Sequence, residues 1–335
     1  MEDIIKNLRV GISIGDTLDA FDGAVKMGEA PERSETCWGN PVITQGLVDA
    51  YIAAGLNIIR IPVTWKGHFG DAPDYTIDAA WLRRVREVVD YAYNRGVYVI
   101  LNLHHEDWNY PYYDNEERAC IIMTALWSQL AAEFAGYDER LIFEGQNEPR
   151  KVGTPLEWNG GDDEGWEVVN STNAAFVSAV RQGTGYNKTR YLMIPGYAAN
   201  CTVGIKHIEI PDDDRIIVSV HAYEPYEFAL DKKGRSEWKH DTEIIDSLMA
   251  ELHERFTGKG IPVIIGEFGA MNKDNEDDRA QWVEYYLKAA KNVGIHCLWW
   301  DNGLFEGDGE RFGLFDRHTY ECRYPKVLEG IKLGS

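Results

Sequence analysis

Two glutamates stand at the ends of otherwise apolar runs: Glu148 in LIFEGQNEP (141–149) and Glu267 in PVIIGEFG (262–269). Leaving a carboxylate unpaired in a core costs several kcal/mol, so each must emerge where its run ends. Pro149 cannot donate to a β-ladder and turns the chain outward directly after Glu148. Two carboxylates flanking one cleft are what cleavage of a glycosidic bond requires. One is protonated and donates to the leaving oxygen; the other is ionised and attacks the anomeric carbon. Their mutual repulsion is expected to hold one proton on the pair. The alternative is that both are ion-paired braces beneath loops.

The other run ends weigh against the braces. Arg60 stands in IIRIPV (58–63), His104 and His105 end VYVILNLHH (97–105), and Asn147 precedes Glu148. His221 and Tyr223 lie in IIVSVHAYEP (216–225), and Trp300, Asp301 and Asn302 in HCLWWDNG (296–303). Polar and aromatic groups recurring at one depth indicate a shared site. No metal is expected. His104 and His105 are neighbours on a predicted strand and should point to opposite faces, and no HExxH motif or cysteine partner supports one. Glu144 shares strand parity with Glu148 but sits lower, as a brace would. His68 could serve binding or structure.

These residues must be positioned by the runs that carry them. With VGISIG (10–15) and YLMIPG (191–196) there are eight such runs, nearly continuous in apolar residues. That is the pattern of parallel strands covered on both faces. Between most of them lie helix-period segments, such as TQGLVDAYIAAG (44–55), with Thr44 as N-cap and Gly55 as stop, and WLRRVREVVDYAYNRG (81–96). The connection after the fifth strand is only weakly helical. Repeated strand–helix units predict a (β/α)8 barrel forming one catalytic domain over residues 1–335. An open doubly wound sheet would place a glycine-rich phosphate turn after the first strand, and GISIGD (11–16) lacks it.

Composition limits the partners. A net charge of −21 disfavours nucleic acid and anionic membrane surfaces. The five cysteines are scattered without CxxC spacing, which argues against a disulfide framework or a zinc site. No stretch reaches the ~18–20 apolar residues of a membrane span. MEDIIKNLRVG carries no basic and apolar leader pattern.

Taken in order, IIRIPV, Asn147-Glu148-Pro149 and GEFG (266–269) resemble glycoside hydrolase family 5, the cellulase-type retaining enzymes. ETCWGNP (35–41), VTWKGHFG (63–70), NLHHEDW (102–108) and WWDNG (299–303) look most like its subfamily 4 endoglucanases and xyloglucanases. The resemblance covers nearly the whole chain. It implies that Glu148 is the general acid/base and Glu267 the nucleophile. Asn147 would bind the sugar 2-hydroxyl, Arg60 keep the nucleophile ionised, and Tyr223 fix its direction. His104, His105 and His221 would surround the carboxylates. Trp300 would stack on the sugar before the scissile bond, with a cis peptide to Asp301; Trp38 and Asn302 complete the set. Trp65, Trp108, Tyr110, Trp158 and Trp166 are further candidates for a sugar platform, while Trp81, Trp127 and Trp282 fall in helix patterns and should be core.

The expected activity is endo-hydrolysis of β-1,4-glucans: cellulose-like chains, xyloglucan or mixed-linkage glucan. It needs no cofactor. A cell cannot import such polymers, so the enzyme is expected outside the cell, its leader lying beyond this sequence, as a monomer with no nucleic-acid or membrane partner. A β-mannanase or xylanase, or an inactive carbohydrate-binding barrel, are the alternatives. An inactive barrel should have lost one of the two glutamates, and both are present.

Overall fold

The computed structural model describes residues 4–335. Eight parallel strands close into a barrel in sequence order. They are β1 (Val10–Ile14), β2 (Ile58–Ile61), β3 (Tyr98–Asn102), β4 (Leu141–Glu144), β5 (Leu192–Asn200), β6 (Ile216–His221), β7 (Val263–Phe268) and β8 (Ile295–Asp301). β8 closes on β1, with Ser13 opposite Trp300. Each apolar run holds one strand; β5 extends past its run, while the others stop short, β3, β4 and β6 by the most, so that Tyr223 lies beyond β6.

The helices are α1 (Pro31–Glu35), α2 (Gln45–Ala53), α3 (Ala79–Tyr93), α4 (Tyr113–Glu133), α5 (Asp163–Gln182), α6 (Tyr226–Ala229), α7 (Thr242–Arg255), α8 (Glu276–Asn292) and α9 (Pro325–Gly334). Thr44 caps α2 by accepting from Leu47 N at 3.3 Å, and Gly55 follows it at φ +97°. The five- and four-residue α1 and α6 are too short to show a helical period. Between β5 and β6 the connection contains only the 3-10 turn Gly204–Lys206.

Strand alternation explains where polarity enters the apolar runs. One inward layer is apolar: Ile58, Ile100, Ile142, Met193, Ile217, Ile264 and Leu298 form a buried cluster. Two residues further along the strands the same face carries Arg60, Asn102, Glu144, Ser219 and Trp300, all buried. The outward residues, such as Ile59, Leu101 and Phe143, pack against the helices in the main core with Trp81, Trp127 and Trp282. The barrel floor is thus hydrocarbon and its C-terminal end polar, as a site at the strand ends requires.

Candidate active site

Arg60 is the hub of the polar layer. It is fully buried, and its Nε donates to Glu144 at 2.7 Å, Nη1 to Glu267 Oε1 at 2.8 Å, and Nη2 to Asn147 Oδ1 at 2.6 Å. Burial favours the neutral guanidine, but the Glu144 and Glu267 carboxylates outweigh it and raise the Arg60 pKa, so the charge stays. Glu144 also accepts from Ser219 Oγ at 2.7 Å and Asn102 Nδ2 at 3.1 Å, confirming it as a buried brace. Tyr223 donates its hydroxyl to Glu267 Oε2 at 3.0 Å. Burial, then the neighbouring Glu267, push the Tyr223 pKa well up, so it remains a donor. Both oxygens of Glu267 are therefore held by groups that do not change charge near neutral pH.

Glu148 does not end a strand: β4 stops at Glu144. One further backbone bond continues the ladder, Gly145 N donating to Met193 O at 2.9 Å, and side chains help to pin the residues around it. Gly145 O accepts from Trp127 Nε1 at 2.9 Å. Gln146 Nε2 donates to Thr172 and Asn173 on α5 at 2.9 and 3.0 Å. Pro149 O accepts from Ala198 N at 2.9 Å. Gly145 is required here, because a Cβ would lie 2.5 Å from the Phe176 ring. Asn147, with Oδ1 on Arg60, keeps its NH2 as a donor.

The proton expected on the two carboxylates is shared with a third group. His221 Nδ1 lies 2.7 Å from Glu148 Oε1 and 3.6 Å from Glu267 Oε2. Burial opposes the imidazolium, but Glu267 and Glu148 outweigh it and raise the His221 pKa. Burial would also raise Glu148, but the His221 hydrogen bond and charge, then Arg150 and Arg60, bring it below the usual glutamate range. Repulsion alone is therefore not what holds the proton; it rests on the Glu148–His221 pair. Each of the three groups has an atom within 4.8 Å of the others.

His104 and His105 lie beyond β3, so the opposite-faces expectation does not apply. Their ring centroids are 4.4 Å apart, and with Asp19 they bring ligand-type atoms within 4.8 Å of one another. Asn102 Nδ2 meets His104 Nδ1 at 3.1 Å, which directs Nε2 between Asp19 and Glu267, 4.0 Å from each. Burial, then the neighbouring His105, hold His104 neutral, and burial takes His105 down to about 4. Asp19 already accepts from Thr17 N and Asp16 N at 2.8 and 3.0 Å. The other group with ligand-type atoms, Glu148–His221–Glu267, has the Arg60 guanidinium 2.8 Å from Glu267 Oε1, which is poor company for a cation.

The aromatic candidates divide by exposure. Trp65 and Trp108 are buried and satisfy their indoles on Asn102 O and Glu106 at 3.0 and 2.6 Å, so they brace loops. Trp166 stacks on His207 at 3.3 Å. Trp38 is 38% exposed, clustered with Phe21 and His105, and Trp158 is 57% exposed. Phe21, Tyr110, Glu148 and Arg150 line a cleft of about 160 Å³. Trp300 lies at the mouth against Gly15, where a Cβ would come within 2.5 Å of the indole. Its peptide to Asp301 is not cis. Among the described residues the cis bonds are Ala72–Pro73 and Glu224–Pro225, and β8 stays in register with β1 through Asp301. Asn302 supports the following loop, accepting from Leu304 N and Phe312 N at 3.2 Å and donating to Glu310 O at 2.7 Å. His68 is structural, stacked on Trp81 at 3.9 Å and bonded to Ser34 at 3.0 Å.

Asp16, Asp19 and Arg150 escaped the sequence reading. Burial, then Asp19, raise Asp16 to about 8; burial, partly offset by the Thr17 and Asp16 amides, raises Asp19 to about 6. The available signal was position: Asp16 and Asp19 lie in the loop directly after β1, and Arg150 directly follows Pro149.

A strand-end barrel site with an arginine-held carboxylate facing a second, proton-sharing one is a site of glycoside hydrolase type. The cellulase model, glycosyl hydrolase family 5, matches residues 24–306. The chain is 52% identical over 338 residues to endoglucanase B of Neocallimastix patriciarum, covering 99% of this chain and 71% of that protein. A GH5-4 broad specificity endoglucanase from Ruminococcus champanellensis, with bound cellotriose, superposes with a TM-score of 0.95 at 42% identity, covering 98% of this chain and 96% of the other. A GH5 xyloglucan-specific endo-β-1,4-glucanase from a metagenomic library, in complex with cellotriose, gives 0.94 at 40% identity, covering 98% and 97%. The chain belongs to glycosyl hydrolase family 5.

Proposed function

We propose that the protein is a retaining endo-β-1,4-glucanase acting on cellulose-like chains, xyloglucan and mixed-linkage glucan. One observation carries this reading: Glu148 and Glu267 present oxygens within 4.8 Å of each other, bridged by His221. That spacing suits double displacement; inversion needs ~6.5–9.5 Å between the carboxyls to admit a water. Exposed Trp38 and Trp158 favour an open cleft for a polymer.

In the first half-reaction Glu267, aimed by Arg60 and Tyr223, attacks the anomeric carbon while Glu148 protonates the departing oxygen. The product is a glycosyl ester on Glu267. Esterification removes the negative charge of Glu267, and with it the repulsion that favours a proton on Glu148. Glu148 then acts as base on the incoming water. Asn147 would donate to the 2-hydroxyl, His104 and His105 line the cleft, and Trp300 and Trp38 stack on sugars, with Asn302 supporting the loop. Residues 1–335 would act as one catalytic domain, as a monomer outside the cell, without a cofactor or catalytic metal. A net charge of −21 argues against nucleic-acid and anionic-membrane partners, and no helix among the described residues is long and apolar enough to cross a membrane.

The test is reducing-end release from carboxymethylcellulose, xyloglucan, barley β-glucan, mannan and xylan, with Glu267→Ala alongside. Activity on the glucans, reduced about 10⁴-fold or more in the variant, is expected. Activity confined to mannan or xylan would reject the glucan assignment, and none on any of the five the hydrolase one.

A further inference from the structure

Glu148 Oε1 is taken by His221, and the group facing Oε2 is Arg150, with Nη1 3.6 Å away. Arg150 is held on three sides. Nη1 donates to the backbone O of Glu148 at 3.0 Å, Nε donates to Glu157 Oε1 at 3.3 Å, and the guanidinium lies 4.0 Å over the Trp158 ring. The loop carrying these partners is fastened independently. Tyr197 Oη accepts from Lys151 N at 2.8 Å and donates to Leu156 O at 3.1 Å. Lys151 Nζ pairs with Asp162 and Glu164 at 2.8 and 2.5 Å, and Glu157 Oε2 accepts from Gly153 N at 2.8 Å. A long side chain tied down this way is a fixed charge rather than a solvated surface arginine.

The remaining charges around Glu148 are committed elsewhere. Arg60 on β2 serves Glu144, Glu267 and Asn147. Lys66, on the same cleft, pairs with Asp107 at 2.6 Å. His221 on β6 sits between the two glutamates; Glu267 on β7, Tyr223 and, from the loop after β8, Glu310 add repulsion or no charge. His104 and His105 are neutral. Arg150 is thus the cation that bears on Oε2 without a competing duty to the nucleophile.

We propose that Arg150, clamped by Glu157 and Trp158, is a positioning residue that sets the proton balance of Glu148 and thereby the upper pH limit of turnover. Its charge favours the carboxylate, the form needed as base in the second half-reaction, and limits the pH range over which the acid form is available for the first. Glu157 moderates this by partly neutralising the guanidinium. The two residues therefore act in opposite directions. The proposal rests on Glu148 being the acid/base.

The experiment is the pH profile of kcat/KM on cellotetraose, whose sugar leaving group needs protonation, for wild type, Arg150→Met, Arg150→Lys and Glu157→Gln. Thermal melting first establishes that each variant is folded. The basic limb should move up by about 0.5–1 pH unit in Arg150→Met, stay near wild type in Arg150→Lys, and move down by a few tenths in Glu157→Gln. The acid limb should hold its place in all of them. An unmoved basic limb in Arg150→Met, or a shift of the same sign in Glu157→Gln, would overturn the proposal. If Arg150→Met does not fold, Arg150→Lys and Glu157→Gln decide it by the same limb. Glu148→Gln separates the two ideas. Its kcat/KM, which reports the first half-reaction, should fall about 10²–10⁴-fold on cellotetraose but little on a 2,4-dinitrophenyl cellobioside, whose leaving group needs no acid. Equal losses on both substrates would sink the acid/base assignment itself, whatever Arg150 does.

Discussion

The two glutamates proposed as acid/base and nucleophile are held in opposite ways. Glu267 lies on a strand and rests on Arg60 and Tyr223, whose charge states do not change near neutral pH. Glu148 lies beyond the end of β4 and faces His221, which titrates, and Arg150, which is supplied by its own loop. A nucleophile must be anionic and aimed when it attacks, so its hydrogen-bond donors keep their charge state. An acid/base must change charge twice per turnover, so its partner can share the proton. The barrel frame provides the first kind of support and the loops the second.

That contrast can be broken from below. Glu144→Ala leaves the fully buried Arg60 with one carboxylate fewer, and should cost about 3–5 kcal/mol of stability, measured by denaturant unfolding. Activity should fall with it at every pH, because the damage is to aim and not to titration.

A smaller effect sharpens the comparison. Tyr223→Phe removes one donor to Glu267 and nothing else. It should lower kcat about 10–10²-fold while leaving both limbs of the pH profile in place. His221→Asn, on the other side of the cleft, should displace the basic limb. If Tyr223→Phe shifted the profile as much as His221→Asn does, the division between fixed and titrating supports would fail.

The smallest effect concerns the rim. Asp16 is raised from the usual carboxylate range to about 8, mainly by burial. The unfolded chain loses this proton first, so the stability it contributes is present at low pH and erodes as pH rises toward 8. Asp16→Asn keeps a residue that tolerates the local φ of +56° and removes the titration. Its melting temperature should exceed wild type by a few degrees at pH 8 and match it near pH 4, by differential scanning calorimetry at each pH.

Much of this was legible in the chain because strand parity has a period of two. Once the eight apolar runs are recognised, Arg60 and Glu144 must face inward with the isoleucines two residues before them. What could not be read depends on partners distant in sequence. Past Glu144 one backbone bond, Gly145 N to Met193 O, continues the ladder, and α4 and α5 supply Trp127, Thr172 and Asn173 to the residues around it. Trp65 and Trp108 resemble a sugar platform by composition, but Asn102 O and Glu106 draw their indoles inside. Asp19 reads as an ordinary loop acid, and only barrel closure brings it within 4.0 Å of His104.

The central claim is that Glu267 forms a covalent bond to the sugar. The direct measurement is mass spectrometry of the protein incubated with a 2-deoxy-2-fluoro-β-cellobioside bearing a good leaving group, followed by peptide mapping. The mechanism predicts one added fluorocellobiosyl group, located on Glu267 and released by a transglycosylation acceptor. A label on Glu148, or turnover of the glucan substrates with inverted anomeric configuration and no label, would contradict it.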